Sequence, residues 1–245
     1  MNDNGITIIP DVHGRSFWRD AFRDGVPGRT VFLGDYLDPY LYEGVTRSEA
    51  TDCLREIISL KRENPDRIVL LLGNHDLGYL SRRVCQVRMD YGRERMNRRL
   101  LEDNLDLFDI VHEETLGGVR FLFSHAGVGQ EWERDNREAL GGRPFTAAAL
   151  NAMLHDPGRR DDLLGVLAQA GAFRGGTDPH GSPVWADVDE FLCGDTLLPG
   201  YFHVFGHSML SGGPLAVGQD GVCVDCRTVF RLEDSPLRIE PAGLG

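Results

Sequence analysis

Ile6-Thr7-Ile8-Ile9-Pro10-Asp11-Val12-His13-Gly14 is an apolar run of strand length that ends in an acid, an imidazole and a glycine. The same order recurs along the chain. Residues 30–33 run into Gly34-Asp35-Tyr36-Leu37-Asp38, and residues 68–72 into Gly73-Asn74-His75-Asp76. Residues 119–123 run into Ser124-His125-Ala126-Gly127, and residues 203–205 into Gly206-His207-Ser208. Each run is rich in Val, Ile, Leu or Phe, as a buried strand is. Each polar cluster follows the strand's C-terminal end, where sheet proteins with helical crossovers gather ligand sites. A glycine in or beside each cluster lets the backbone turn sharply and approach a ligand closely.

Helices fit between the runs. Thr46 or Ser48 caps a helix through about Glu63, with Leu54, Ile57 and Ile58 facing inward and Pro65 past its end. Residues 95–108 carry Met96, Leu100, Leu101, Leu105 and Phe108 near helical period. Residues 109–114, Leu116-Gly117-Gly118 and residues 119–124 read as a hairpin that feeds the fourth polar loop. Residues 145–156 and 160–170 are short helices split by Pro157-Gly158, and residues 218–233 read as a second hairpin turning at Gln219-Asp220-Gly221. With no repeat or linker, one α/β domain spans 1–245, and residues of about 130–200 form a cap-like insertion in it.

Hydrophobic residues make up 41% and charged residues 26% of the 245, the balance of a globular protein. No apolar run reaches the roughly 18 residues of a membrane span. Residues 1–5 are polar and acidic, so no signal peptide is expected. The net charge of −12 argues against general nucleic-acid binding, which needs a basic footprint. It leaves room for an anionic substrate, because bound metal ions reverse the local field. The five cysteines, Cys53, Cys85, Cys193, Cys223 and Cys226, are odd in number and scattered, which suits a reducing cytoplasm better than a disulfide framework. Cys223 and Cys226 have CxxC spacing, but they lie in an apolar-rich strand and no second pair completes a zinc site.

Four of the eight histidines, His13, His75, His125 and His207, fall in the strand-end loops together with Asp11, Asp35, Asp38, Asn74 and Asp76. Imidazole, carboxylate and amide donors suit Mn, Fe or Zn, and no thiolate adjoins them to favour copper. One aspartate shared by two ions would hold them about 3.5–4 Å apart, an arrangement suited to phosphoester hydrolysis.

In this order, Asp11-Val12-His13-Gly14, Gly34-Asp35-Tyr36-Leu37-Asp38, Gly73-Asn74-His75-Asp76, His125-Ala126-Gly127 and Gly206-His207-Ser208 resemble the calcineurin-like metallophosphoesterases. Within them the chain looks closest to the PPP-type serine/threonine phosphatases and the related bacterial diadenosine tetraphosphatases. The resemblance implies a four-layer α-β-β-α sandwich with a dinuclear metal site at the strand ends. It implies that Asp11 and His13 bind a first ion, that Asp35 bridges, and that Asn74, His125 and His207 complete the second. Manganese is expected first, with iron or zinc as alternatives. His75 would protonate the leaving oxygen, oriented by Asp38; the residues agree, since a carboxylate beside an imidazole positions it and favours its charged form. Pro183-Val184-Trp185-Ala186-Asp187 resembles the segment ahead of the family's last metal histidine, although Trp185 reads equally as a buried aromatic. Val222-Cys223-Val224-Asp225 resembles the late strand that closes the sandwich.

One departure stands out. The phosphatases continue Asp-Arg-Gly after the second acid, and that arginine clamps substrate phosphate in a bidentate fork. Here the chain reads Asp38-Pro39-Tyr40. Arg15, Arg82, Arg83, Arg88 and Arg174 are available as substitutes, with Arg15 favoured by proximity and Arg174 by its resemblance to a downstream phosphatase Arg-Gly. Tyr36, Tyr40 and Tyr42 either line the cleft or simply pack. The expected function is hydrolysis of phosphomonoesters, on phosphoprotein or a small phosphorylated substrate, by metal-bound hydroxide without a covalent intermediate. Cleavage of dinucleoside polyphosphates or nucleotides is the alternative. A non-catalytic metal-binding scaffold is a third reading, opposed by the intact ligand set and His75.

Overall fold

Alternation within the apolar runs decides which way each strand faces. In the computed structural model, which describes residues 5–85, 87–234 and 237–242, the first four strands are β1 (Ile6–Ile9), β2 (Arg29–Phe32), β3 (Ile68–Leu71) and β4 (Phe108–Asp109). They are followed by β5 (Val111–Leu116), β6 (Val119–Ser124), β7 (Phe202–Phe205), β8 (Leu215–Val217), β9 (Gly221–Cys223), β10 (Phe230–Asp234) and β11 (Leu237–Pro241). The helices are α1 (Arg47–Glu63), α2 (Asn74–Leu80), α3 (Glu94–Glu102), α4 (Gln130–Asn136), α5 (Ala147–His155), α6 (Arg160–Leu167) and α7 (Val188–Cys193). Residues 1–4, most of the stretch read above for a leader, lie outside the described residues.

Two sheets result. One has six strands in the order β11-β10-β1-β2-β3-β4, with β1 to β4 parallel; the other has five in the order β5-β6-β7-β9-β8, with β6, β7 and β9 parallel. Ile6, Ile8, Val31, Leu33 and Leu71 of the first sheet pack against Phe121, Phe123, Val204 and Val222 of the second. Each such side chain contributes about 1.5–3 kcal/mol when fully buried. That layer holds the two sheets face to face. Ile9, Phe32, Ile68 and Leu70 point the other way, onto Leu54, Ile57 and Ile58 of α1 and Leu101 of α3. On the far side of the second sheet, Val188 of α7 meets Phe205, Val217 and Cys223. Two sheets flanked by helices are the four-layer arrangement expected. Residues 130–200 hold α4 to α7, whose Trp132, Leu150, Leu154, Leu163 and Leu167 share a cluster with Leu122 of β6.

Local signals set most boundaries. The Thr46 hydroxyl accepts the Glu49 N–H at 3.2 Å while Glu49 Oε2 accepts the Thr46 N–H at 2.7 Å, a reciprocal cap that starts α1. The hairpin pairs Leu116 with Val119 across Gly117-Gly118. Two expectations need correction. The helix read over 95–108 stops at Glu102, because the Asn104 side chain donates to the Leu100 carbonyl at 2.7 Å and accepts from Arg62 at 2.6 Å, competing with the helical bonds. Phe108 then belongs to a strand. The hairpin read over 218–233 is instead β8–β9, turning across residues 218–220; the chain then leaves that sheet, and β10 pairs antiparallel with β1 in the other.

Candidate active site

The parallel strands of both sheets deliver their C-terminal loops to one end of the sandwich. Asp11, His13, Asp35, Asp38, Asn74 and His75 arrive from the first sheet, and His125 and His207 from the second. The backbone there is unusual. Six non-glycine residues among those described have positive φ: His13 (45°), Asp35 (53°), Asp38 (57°), Arg88 (56°), His207 (66°) and Arg227 (56°). Such conformations cost on the order of 1–3 kcal/mol each and persist where surrounding bonds impose them. His13 donates its N–H to the Asp35 carbonyl at 2.6 Å, and His207 donates its N–H to Asp11 Oδ1 at 3.0 Å, across 196 residues of chain. Gly73 and Gly206 are required by contact: a β-carbon on either would overlap the carboxylate of Asp35 or Asp11, respectively.

The side chains present their lone pairs to one another. His13 donates from Nδ1 to the Leu37 carbonyl at 2.7 Å, and His125 from Nδ1 to the Leu33 carbonyl at 2.9 Å. Each is left with an unprotonated Nε2 when neutral. His13 Nε2 lies 3.4 Å, and His125 Nε2 3.6 Å, from Asp35 Oδ2. His125 Nε2 is also 3.1 Å from Asn74 Oδ1 and 3.0 Å from His207 Nδ1. His207 Nε2 is buried without a partner among the described residues. Acceptors gathered in a dry pocket repel unless a cation sits among them. A backbone carbonyl on the remote ring nitrogen is the usual way to orient a metal-binding histidine. The ligand atoms of Asp11, Asp35, His125 and His207 lie within 4.8 Å of one another, and so do those of His13, Asp35 and His75. Asp35 is common to both groups. The donor set therefore fits divalent cations.

Electrostatics agree. Burial, reinforced by the neighbouring His75 and Arg88, holds His13 neutral well below the usual imidazole range. Burial, Arg174 and His125 do the same for His207. Neutral imidazole is the form that binds metal. Burial works against ionising Asp35, but His125, His75, His13 and His207 outweigh it and hold its carboxyl below the ordinary range. Asp11 is pushed up by burial and by Asp35, against the pull of His125 and the His207 N–H.

His75 stands differently. Its Nδ1 lies 2.9 Å from Asp38 Oδ2, and its Nε2 accepts from Arg88 Nη2 at 3.0 Å, so both nitrogens are engaged. Asp38 is fixed from behind, where Oδ1 accepts the Tyr79 hydroxyl at 2.5 Å. The reading of the sequence assigned no task to Tyr79 or Asp76. Asp76 is fully buried and its carboxylate accepts the N–H groups of Asp35 (2.8 Å), Tyr36 (3.1 Å) and Gly73 (2.9 Å). It thereby ties the second loop to the third and sustains the strained turn at Asp35. Its position beside His75 was the only sequence signal for it. Tyr36 packs, with its hydroxyl on the Leu71 carbonyl at 2.9 Å; Tyr40 lies edge-on to His13 at 5.2 Å; Tyr42 is exposed. Trp185 is buried and lies edge-on to His207 at 5.8 Å.

Arg15 and Arg174 flank the cluster with their guanidinium groups already engaged. Arg15 Nε donates to Glu43 at 2.7 Å, and Nη1 donates to the Asp11 carbonyl at 3.2 Å. Arg174 pairs with Asp187 at 2.7 Å and donates to Ser208 Oγ at 2.8 Å and the His207 carbonyl at 3.1 Å. No cysteine belongs to either group of ligand atoms among the described residues. Burial pushes the thiols of Cys53 and Cys226 up to about 11 and that of Cys223 up to about 12, while Cys85 and Cys193 are exposed. Thiols held protonated are poor nucleophiles. Alkylation under native conditions is expected to leave activity unchanged; inactivation by a modified Cys223 or Cys226 in a still-folded protein would refute this.

Three comparisons bear on the whole chain. Residues 5–209 match the calcineurin-like phosphoesterase family. A cold-active protein-tyrosine phosphatase from a psychrophilic Shewanella superimposes with a TM-score of 0.64 at 17% identity, covering 99% of this chain and 79% of that one. A protein serine/threonine phosphatase from Saccharomyces cerevisiae does so with a TM-score of 0.55 at 15% identity, covering 94% and 73%. With a family match across most of its length and the same layered fold in both phosphatases, the chain belongs to the calcineurin-like phosphoesterases and is a hydrolase of phosphoester bonds.

Proposed function

We propose that this protein is a dinuclear metal-dependent phosphomonoesterase acting on phosphoprotein or a small phosphorylated substrate. One observation carries it: the Nε2 atoms of His13 and His125 both lie close to Asp35 Oδ2, at 3.4 and 3.6 Å, while the Nδ1 of each is spent on a backbone carbonyl. Asp11, His13 and Asp35 would hold one ion, and Asp35, Asn74, His125 and His207 the other, with manganese first in line. Bound there, the ions supply Lewis-acid polarisation of the phosphoryl group and activation of water. His75 would deliver a proton from Nε2 to the leaving oxygen once substrate displaces Arg88 from that nitrogen, and Asp38, at 2.9 Å from Nδ1, keeps its ring turned to that task. Arg15 and Arg174 add positive potential around the phosphate. The segment 130–200 acts as a cap that walls the cleft through Trp185 and Arg174, within a single domain spanning 1–245. Both structural neighbours are named as phosphatases of proteins, which favours a phosphoprotein over a dinucleoside polyphosphate or nucleotide. Five free cysteines suit a cytoplasmic setting.

Elemental analysis is expected to find two divalent ions per chain. Chelation is expected to abolish hydrolysis of a generic aryl phosphate, and Mn²⁺ to restore it. Activity indifferent to chelation in a metal-free protein would overturn the proposal, and bound metal without hydrolysis would leave a scaffold. Phosphopeptides, nucleotides and diadenosine tetraphosphate assayed side by side separate the substrate classes. Faster cleavage of the tetraphosphate would favour the nucleotide reading.

A further inference from the structure

Arg88 lies beside the site without a carboxylate partner among the described residues. Among the described residues it makes no ion pair, in contrast to Arg15 with Glu43 and Arg174 with Asp187. Its guanidinium carbon lies 3.4 Å from the centroid of the Tyr40 ring, and Nη2 donates to His75 Nε2 at 3.0 Å. Nη1 is buried and has no hydrogen-bond partner among the described residues. Its backbone sits at φ 56°, in the same left-handed region as His13, Asp35, Asp38 and His207. A donor left unsatisfied in a buried position costs about 1–3 kcal/mol, so an unpaired guanidinium edge held in a strained loop calls for an anion.

We infer that Arg88, stacked on Tyr40, is the clamp for the substrate phosphoryl group and stands in for the arginine missing after Asp38. This rests on the phosphomonoesterase reading above. The geometry supports the exchange. In the phosphatase pattern the residue after the second acid supplies the arginine; here that stretch is Pro39-Tyr40, and the Tyr40 ring supports an arginine from another loop. The same ring lies edge-on to His13, so the guanidinium is brought beside the metal-type ligands and His75 together. His75 Nε2 is the atom that must face the leaving oxygen. An arriving phosphoryl group therefore displaces Nη2 from it, and a guanidinium supported on the ring need only turn to an adjacent oxygen. Its planar fork suits two phosphoryl oxygens, which the point charge of a lysine does not.

The test uses inorganic phosphate as the probe, titrated by calorimetry into Mn²⁺-loaded protein and used separately as a competitive inhibitor of aryl phosphate hydrolysis. Arg88→Ala is expected to weaken phosphate binding by about 10- to 100-fold, the effect of losing a charged hydrogen-bond donor, with metal content and melting temperature unchanged. Arg88→Lys should recover only part of the loss. Tyr40→Leu should weaken phosphate as well, and Tyr40→Phe should not, because the ring face is what the guanidinium touches. Arg82→Ala, at an exposed position, serves as the control for simple loss of positive charge. If Arg88→Ala proves unstable, Arg88→Lys decides alone: wild-type phosphate affinity in that variant overturns the fork assignment. Wild-type affinity in a folded, metal-replete Arg88→Ala protein overturns the clamp altogether. A wild-type enzyme that carries its metals and hydrolyses aryl phosphate keeps the phosphomonoesterase reading intact in either case. A metal-loaded wild type that neither binds phosphate nor hydrolyses the ester overturns that reading, and Arg88's task with it.

Discussion

His75→Asn is expected to slow hydrolysis of an alkyl phosphate by about 10²–10⁴-fold, the contribution of a positioned acid–base group, while metal content stays at the wild-type level. The expectation follows from how the ring is held. Asp38 Oδ2 engages Nδ1 at 2.9 Å, the Tyr79 hydroxyl fixes the other carboxylate oxygen at 2.5 Å, and the ring stands edge-on to His13 at 5.1 Å. Nδ1 is thereby spent on Asp38 and Nε2 faces the Arg88 guanidinium at 3.0 Å, whereas the Nε2 atoms of His13 and His125 lie 3.4 and 3.6 Å from Asp35 Oδ2. A group that protonates the leaving oxygen matters least when that oxygen is already a weak base. The loss should therefore shrink for an activated aryl phosphate and be greatest for serine-type alkoxides. Asp38→Asn should show the same dependence on the leaving group more mildly, because it removes orientation and charge but leaves the imidazole. If His75 only packs the loop or binds an ion, the substitution lowers metal occupancy or melting temperature and costs the same for every ester. Equal losses on alkyl and activated aryl phosphates in a metal-replete variant would sink the general-acid assignment.

Asp35→Asn should be the most damaging change among the metal-type ligands. Its carboxylate is shared by both groups of ligand atoms, whereas Asp11, Asn74, His125 and His207 serve one ion each in the proposed site. Its carboxyl lies below the ordinary carboxylate range and is ionised at neutral pH, so the substitution removes a full charge from the centre of the cluster. Removing a partner outside the ligand set typically costs about 10–100-fold in metal affinity or activity. Loss of the bridging ligand should exceed that, with Mn²⁺ affinity and aryl phosphate turnover falling together and both ions leaving on dialysis. The Asn side chain still accepts the His75 N–H that now reaches Asp35 Oδ1 at 3.0 Å, so the loop itself should hold. Asp11→Asn, as the comparison, should release one ion more readily than the other. An Asp35→Asn protein that retains two metals and normal turnover means that this aspartate is no bridge.

Much of the site was legible because its pattern is local. A strand must end before its polar loop begins, and that succession of an apolar run and a polar, glycine-bearing loop is written within nine residues at Ile6 to Gly14 and again in each later run. The cap at Thr46 and the turn at Gly117-Gly118 are likewise contained in four or five neighbouring residues. The misread elements lie where the deciding partner is distant. The chain after Cys223 looks like a continuing hairpin arm, but β1, more than 200 positions earlier, offers the free edge that β10 takes. Residues 103–108 keep helical spacing in their apolar side chains, yet Asn104 is drawn to Arg62 on another helix.

The amino-acid sequence by itself determined the strand-and-loop plan, the family, the set of aspartates, histidines and asparagine that gather at the strand ends, and the departure at Pro39-Tyr40. Tertiary structure alone decided what each of them faces. It chose which ring nitrogen of His13 and His125 is spent on a backbone carbonyl, made Asp76 the tie between two loops, and showed Arg15 and Arg174 already held by carboxylates while Arg88, stacked on Tyr40, makes no ion pair among the described residues. The reason is physical. Periodicity and turn chemistry act over a few residues, whereas the direction of a hydrogen bond or the pairing of a guanidinium depends on which distant group the packed sheets bring within about 3 Å.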